Sequence, residues 1–235
     1  YQGEIAEAIA KFMVEEDGLM TMKDLNDYKP RWYDPISSNF RDFTVTTAPP
    51  NSEAFQILET LNIVEEYDLK GMKHNSADYI HVLAEAMKIA VADRIRYGGD
   101  PDFTDVPVDS LISKEYAAER RKLINMEKAS ISRGQRWTKT PPPDYVPAGK
   151  PTEYLPGLTT HFGIIDLEGN VVSVTQTLGN GFGSGRVVPG TGLALNNGIN
   201  WTETDPDCDT PNLIEGGKRW SVPMAPTQVY QDGNF

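Results

Sequence analysis

Apolar residues recur at helical spacing in the first half of the chain and at strand spacing in the second half. The period of about 3.6 residues over 3–16 and 76–97 predicts two amphipathic helices. In the first, the stripe expected to be buried consists of Ile5, Ala8, Ile9, Phe12 and Met13, and in the second of Ile80, Leu83, Ala84, Met87, Ala90 and Val91. Asn75 or Ser76 is expected to cap the longer helix, and the pair Gly98–Gly99 to end it.

Three shorter helices are predicted from their capping residues. Thr21 and Asp24 have the spacing of a capping box, in which the Thr21 hydroxyl accepts a hydrogen bond from the amide three residues later. Ser52 is expected to cap a helix that runs through Glu66. A charged helix is expected near 113–125.

Runs rich in β-branched residues predict strands over 43–47, 160–166, 170–177 and 225–230. The segment Leu167–Gly169 joins the second and third of these runs, which is typical of a hairpin. Because helices come first and strands later, the order favours an α+β fold over alternating βαβ units.

Residues 130–158 are polar and rich in proline and glycine, which predicts a linker between a mostly helical part and a β-rich part. Thr159 and Thr160 stand where this linker meets the first strand of the β-rich part. A threonine hydroxyl is a weak nucleophile, but it becomes useful when cleavage leaves it at a new N-terminus. Its own α-amino group, with an ordinary pKa of about 7.7–8.0, then acts as the base. A threonine at the start of a strand is equally expected as a β-former.

The composition narrows the classes of partner. The chain has 235 residues, with 22 Lys and Arg against 34 Asp and Glu, and its net charge of -12 disfavours nucleic acid and anionic membranes as partners. No apolar run reaches the roughly 20 residues of a membrane span. The single Cys208 excludes an internal disulfide and a cysteine cluster, and His74, His81 and His161 are too scattered for a zinc site. No metal and no cofactor are therefore expected.

A series of ordered motifs resembles the γ-glutamyltranspeptidase family over residues 1–230. The motifs are Gly3–Ala8, Gly18–Thr21, Asp24–Tyr28, Ala48–Ser52, Asn75–Ala77, Leu83–Lys88, Ala92–Arg94, Gly99–Phe103, Thr159–Phe162, Phe182–Gly185, Pro189–Gly192 and Leu195–Asn197. The resemblance implies an N-terminal-nucleophile hydrolase with a four-layer αββα sandwich, of which this chain is a central part. Residues 1–158 would end the large subunit and residues 159–235 would begin the small subunit, both from one precursor and both in one joint domain.

The resemblance also implies the catalytic residues. The precursor would cut itself between Leu158 and Thr159, and the freed Thr159 would be both nucleophile and base. Thr177 matches the second threonine of the family, which orients the nucleophile, and Thr160 is the competitor that the family pattern disfavours. The expected partners are a small amide substrate and water or an amine acceptor. Family members are commonly periplasmic or secreted.

The positions that the resemblance assigns to substrate binding depart from the family pattern. These positions are Gly179, Asn180, Asn197, Gly198, Trp201, Ser221, Val222 and Pro223. Typical members place Gln and Asp, which bind the α-amino group of the substrate, where this chain has Gly198 and Trp201. Two serines that hold the α-carboxylate are replaced by Val222 and Pro223, with Ser221 displaced by one residue.

These departures predict altered recognition of the acyl group. Each lost polar partner of a buried charged ligand costs roughly 2–5 kcal/mol, so several losses together disfavour normal γ-glutamyl binding. The leading hypothesis is a self-processing amidohydrolase or acyltransferase with a changed acyl preference, for which cephalosporin or glutaryl acylases of the family are precedents. The alternative is an unprocessed, inactive homologue that acts as a binding or scaffold protein.

Overall fold

The computed structural model describes residues 1–130 and 158–235, so the linker predicted at 130–158 lies almost entirely outside the described residues. The α-helices in these ranges are α1 (Glu4–Glu15), α2 (Met22–Asp27), α3 (Phe55–Val64), α4 (Ala77–Tyr97), α5 (Val108–Leu111) and α6 (Lys114–Arg121). The strands are β1 (Ile36–Phe40), β2 (Phe43–Thr47), β3 (Leu158–Ile165), β4 (Val171–Gly179), β5 (Val187–Val188), β6 (Leu193–Ala194) and β7 (Thr227–Gln231), and a 3-10 helix spans Gly198–Trp201. Of the helices in the described ranges, none combines the length and the apolar character of a membrane span.

The described residues divide into two compact units. The first unit consists of residues 1–33, 158–160 and 176–198, and the second of residues 34–130, 161–175 and 199–235. Both units combine helices with strands, which agrees with the predicted α+β class.

The first unit is built on α1. Its buried residues are Ala6, Ile9 and Phe12 of α1, Leu25 of α2 and Val188 of β5. Ile9 and Phe12 were expected to be buried, but Ile5 was expected in the same stripe and is half exposed, because the buried face is centred one residue further along the helix. The capping box of α2 is confirmed: the Thr21 hydroxyl accepts from the Asp24 amide, and the Asp24 carboxylate accepts from the Thr21 amide at 2.8 Å.

The second unit contains a three-stranded antiparallel sheet in the order β1-β2-β7. In its register Val45 of β2 lies between Ser38 of β1 and Val229 of β7. β7 pairs with β2 from the first half of the chain, and β1 and β2 both precede α3, so the expected order of helices first and strands later is wrong. β1 escaped prediction because Ile36 and Phe40 are the only apolar residues of its five and do not alternate with polar ones.

α3, α4 and α6 pack together in the second unit around a core that consists of Ile63, Val64, Val82, Ala86, Ile89 and Ala117. The bounds predicted for α4 are confirmed, with the Ser76 hydroxyl accepting from the Tyr79 amide at its start. The predicted buried face is wrong in part: Ala90 is buried as expected, but Ile80 and Met87 are about half exposed. The buried residues of α4 are Val82, Glu85, Ala86, Ile89, Ala90 and Asp93. Because Glu85 and Asp93 are charged residue types, the apolar periodicity of the sequence does not reveal this face.

The start of α3 also differs from the prediction. Ser52 is not the capping residue, because the helix begins at Phe55 with Ala54 in the capping position, and it ends at Val64 rather than at Glu66. The Ser52 hydroxyl instead accepts from the Ala54 amide at 3.1 Å and donates to the Met224 carbonyl at 2.6 Å. Local capping rules assign Ser52 to the start of α3, but Ser52 instead forms a bridge to Val222, about 170 residues later in the chain.

A group of ionisable side chains is buried where α3, α4 and α6 meet. Arg120 donates to the Asp93 carboxylate at 2.9 Å and Tyr116 donates to its other oxygen at 3.1 Å. Glu59 of α3 is fully buried beside the Asp93 carboxylate. Burial and then the neighbouring Asp93 carboxylate raise the pKa of Glu59 to about 9. Glu59 is therefore protonated at neutral pH in the folded protein.

Glu59 should make the stability of the protein depend on pH. Its folded pKa is raised, so between pH 4.5 and 9 the folded state holds a proton that the unfolded state has released, and stability falls as pH rises through this window. We expect Glu59→Gln to raise the free energy of unfolding at pH 8 by up to about 5 kcal/mol, since each pH unit above 4.5 costs the wild type about 1.36 kcal/mol, and to change it little at pH 4. Denaturant titrations of the full-length protein at both pH values measure this difference. An equal effect at the two pH values would contradict the assignment.

Candidate active site

The hairpin of β3 and β4 brings the two predicted catalytic threonines together. Thr159 is the second residue of β3, and the two strands pair directly. The predicted hairpin turn is confirmed, and it is closed by Asp166, whose carboxylate accepts from the amides of Glu168 at 2.9 Å and Asn170 at 2.8 Å. Gly169 has φ +84°, a conformation that glycine adopts without strain.

The hydroxyl oxygen of Thr177 accepts two hydrogen bonds. The Thr159 hydroxyl donates to it at 3.2 Å, and the backbone amide of Gly179 donates to it at 2.9 Å. Adjacent residues of a strand point to opposite faces, so Thr160 cannot take the place of Thr159 in this pair. The geometry therefore distinguishes Thr159 from its neighbour as the threonine whose hydroxyl contacts Thr177.

The turn after β4 is held by Asn197. The Asn197 side-chain oxygen accepts from the Asn180 amide at 2.9 Å, and the Asn197 amide donates to the Leu178 carbonyl at 2.9 Å. Gly179 has φ +92°, and a Cβ at this position would lie 2.0 Å from the Asn197 side-chain oxygen. Glycine is therefore required here by the conformation and by the close approach of Asn197. Gly198, the next residue, is buried, and its amide donates to Asn196 at 3.0 Å.

A cavity of about 480 Å³ lies beside Thr177 in the first unit. The side chains that line it are Thr160, Gln176, Thr177, Leu178, Asn180 and Phe182. Phe182 is largely exposed and has φ +59°, and its carbonyl accepts from the Gly185 amide at 2.9 Å. The Phe182–Gly185 motif thus forms a backbone turn at the edge of this cavity.

The remaining predicted substrate-binding residues belong to the second unit. Ser221 is buried, and its hydroxyl donates to Glu53 at 2.9 Å. Val222 is tied to the chain before α3, since its carbonyl accepts from the Glu53 amide at 2.9 Å. Trp201 and Pro223 line a cavity of about 240 Å³ together with Ser221 and Glu53. Its other lining residues are Arg94, Ile95, Gly98 and Asn212.

A buried ion pair that the sequence analysis did not identify fixes the segment before Ser221. Asp100 is fully buried, and it accepts hydrogen bonds from the Arg219 guanidinium and, at 2.8 Å, from the Arg219 amide. Burial opposes ionisation of Asp100, but the hydrogen bonds from Arg219 outweigh it and lower the pKa of Asp100 below its ordinary value. Asp100 lies in the Gly99–Phe103 motif, whereas Arg219 lies outside the motifs that carry the family resemblance.

Comparisons with known proteins cover the whole chain. The family model described as gamma-glutamyltranspeptidase matches residues 1–235. The glutathione hydrolase proenzyme of Escherichia coli strain K12 is 37% identical, over 99% of this chain and 40% of that protein. The acylase ACY 1 proenzyme of Pseudomonas sp. strain SE83 is 37% identical, over 100% of this chain and 39% of that protein.

A solved structure supports the same relationship. The crystal structure of the cephalosporin acylase from Bacillus halodurans matches with a TM-score of 0.79 and 34% identity, over 100% of this chain and 39% of that chain. The chain thus spans about 40% of the length of the curated relatives cited above.

Replacing Gly179 should disturb the turn more than replacing a glycine of similar conformation. Gly179→Ala combines a strained φ, which costs of order 1–3 kcal/mol, with displacement of Asn197. Gly185→Ala is the matched control, because Gly185 has φ +72° and open space where its Cβ would lie. We expect a larger fall in the denaturation midpoint of the full-length protein for Gly179→Ala. Equal falls would show that Asn197 moves aside at no cost.

Proposed function

The chain belongs to the γ-glutamyltranspeptidase family, and on that premise we propose that it carries the nucleophile of a self-processing N-terminal-threonine amidohydrolase or acyltransferase. The observation that carries the proposal is the hydrogen bond from the Thr159 hydroxyl to Thr177 at 3.2 Å. It supports Thr159 as the nucleophile and Thr177 as the residue that orients it. The names of the relatives, a glutathione hydrolase proenzyme and an acylase proenzyme, favour amide hydrolysis after processing.

Self-processing would begin with the intact Leu158–Thr159 bond. The Thr159 hydroxyl oxygen attacks the Leu158 carbonyl carbon, the C–N bond breaks, and the acyl group moves from nitrogen to oxygen. Water then hydrolyses the resulting ester, which leaves a carboxylate on Leu158 and a free α-amino group on Thr159. The cut ends a large subunit at Leu158 and begins a small subunit at Thr159, and the two stay together in one domain.

Catalysis would use the same hydroxyl a second time. The free α-amino group of Thr159 accepts the hydroxyl proton while the oxygen attacks the substrate amide, and the proton passes to the leaving amine. The acyl-enzyme ester is then released to water, which is hydrolysis, or to an amine acceptor, which is transfer. Thr177 holds the hydroxyl in place through both reactions. Similarity to the cephalosporin acylase structure supports a four-layer αββα sandwich for the whole enzyme.

Recognition of the acyl group would differ from that of typical γ-glutamyltranspeptidases. The Trp201 indole packs against Trp220 with ring centroids 4.9 Å apart, and neither ring carries a charge for an α-amino group. The carboxylate in the cavity beside Trp201 belongs to Glu53, which already pairs with Arg94 and accepts from Ser221. We therefore propose an acyl group that lacks the α-amino charge, as in a glutaryl group.

Self-cleavage of the full-length precursor tests the nucleophile. We expect the wild-type protein to give two bands on a denaturing gel, with a fragment whose N-terminal sequence is Thr-Thr-His-Phe. Thr159→Ala should remain a single band because it lacks the attacking oxygen, whereas the matched control Thr160→Ala should still be cleaved. A wild-type protein that stays a single band after long incubation would favour the alternative, an inactive homologue with a binding or scaffold role.

The acyl preference is tested with two anilide donors that differ by one group. We expect kcat/KM for a glutaryl anilide to equal or exceed that for the γ-glutamyl anilide, which adds only the α-amino group. Trp201→Asp should shift this ratio by about tenfold towards the γ-glutamyl donor, because a carboxylate offers the ammonium a partner. Trp32→Asp serves as the control, since Trp32 is almost fully exposed. A strong wild-type preference for the γ-glutamyl donor would refute the altered recognition.

A further inference from the structure

We propose that Asn197 is a positioning residue of the nucleophile rather than a ligand of the substrate. Its side-chain oxygen holds the turn after β4 so that the Gly179 amide stays directed at the Thr177 hydroxyl. Thr177 in turn receives the hydroxyl of Thr159. This inference rests on the proposed function, since it assigns Asn197 a part in the reaction of Thr159.

The first step is the dependence of Thr177 on Gly179. A hydroxyl rotates freely about its C–O bond, so the direction of its lone pairs is set by the groups that donate to it. The Gly179 amide is a donor fixed in the backbone, at 2.9 Å from the Thr177 oxygen. With one lone pair occupied in this way, the other is presented to Thr159. Rotation of the Gly179 peptide would release this constraint.

The second step is the dependence of the Gly179 peptide on Asn197. The turn is bound from both sides, because Asn197 accepts from the Asn180 amide through its side chain and donates to the Leu178 carbonyl through its backbone. The backbone bond would survive a substitution at 197, but the side-chain bond would not. The Gly179 amide belongs to the Leu178–Gly179 peptide, whose carbonyl is held by the backbone bond. The side-chain bond holds the next peptide, Gly179–Asn180, and so restrains the left-handed conformation of Gly179, whose φ is +92°.

The third step separates this role from substrate binding. The oxygen of the Asn197 side chain is packed against Gly179, at a point where a Cβ would lie only 2.0 Å away. This oxygen therefore lies against the turn, and its hydrogen bond goes to the Asn180 amide. A residue engaged in this way affects the reaction through the placement of Thr177 and contributes little to holding the donor.

The chain offers a matched control in the neighbouring residue. Asn196 has the same side chain, and its oxygen accepts from the Gly198 amide at 3.0 Å, so it stabilises a later part of the loop and has no bond to the turn after β4. Asn197→Leu and Asn196→Leu therefore each remove one hydrogen bond from a side chain to the backbone. Asn197→Leu removes the bond to the Asn180 amide, and Asn196→Leu removes the bond to the Gly198 amide. Asn197→Asp retains an acceptor oxygen of the same size at the same place.

Self-cleavage of the full-length precursor gives the first readout. We expect Asn197→Leu to slow the cleavage about tenfold to a hundredfold, the range that a small misplacement of reacting groups produces. Asn196→Leu should stay within about threefold of the wild type, and Asn197→Asp should restore most of the rate. A wild-type rate for Asn197→Leu would overturn the proposal. Failure of the wild-type precursor to cleave would instead refute the proposed function.

Kinetics of the matured enzyme and amide exchange give the second and third readouts. A positioning role lowers kcat and leaves KM for the donor within about twofold, whereas a substrate-binding role raises KM. In the Thr159→Ala background, where all variants stay uncut, Asn197→Leu should accelerate exchange of the Asn180 amide and Asn196→Leu should not. Unchanged exchange at Asn180, or a rise in KM alone, would overturn the proposal even if no Asn197→Leu enzyme matures.

Discussion

The hydroxyl oxygen of Thr177 accepts hydrogen bonds from the Thr159 hydroxyl and the Gly179 amide, and the candidate active site is organised around this atom. Each donor is supplied by a different feature of the fold. The pairing of β3 with β4 brings Thr159 opposite Thr177, and the turn after β4 returns the Gly179 amide to the same oxygen. Any change that shifts the register of the hairpin or the conformation of the turn therefore acts on the contact between Thr159 and Thr177.

Buried charge pairs organise the second unit in a comparable way. Arg219 binds Asp100, and Ser221 binds Glu53, which also pairs with Arg94. Removing one member of a buried pair leaves an uncompensated charge, and that typically costs about 3–5 kcal/mol. These contacts fix the backbone of the segment that precedes Pro223.

Local signals in the sequence predicted local structure well. The Thr21–Asp24 capping box, the bounds of α4 and the hairpin turn near Gly169 depend on residues fewer than five positions apart, and all are confirmed. Ser52 is a residue type that commonly caps helices, but its hydroxyl donates a hydrogen bond to the distant Met224 carbonyl instead. Part of the buried face of α4 was misassigned because of another long-range contact: Tyr116 and Arg120 of α6 donate to Asp93 and stabilise its carboxylate on that face.

The order of motifs along the chain was by itself sufficient to place it in its family and to single out Thr159 at the border between linker and strand. The sequence could not decide what each polar side chain binds. Ser221 donates to a carboxylate 168 positions earlier, and Asn197 accepts from an amide 17 positions earlier. A hydrogen bond depends on distance and direction within a few tenths of an ångström, and for residues so far apart in the chain only the packed tertiary structure sets these quantities.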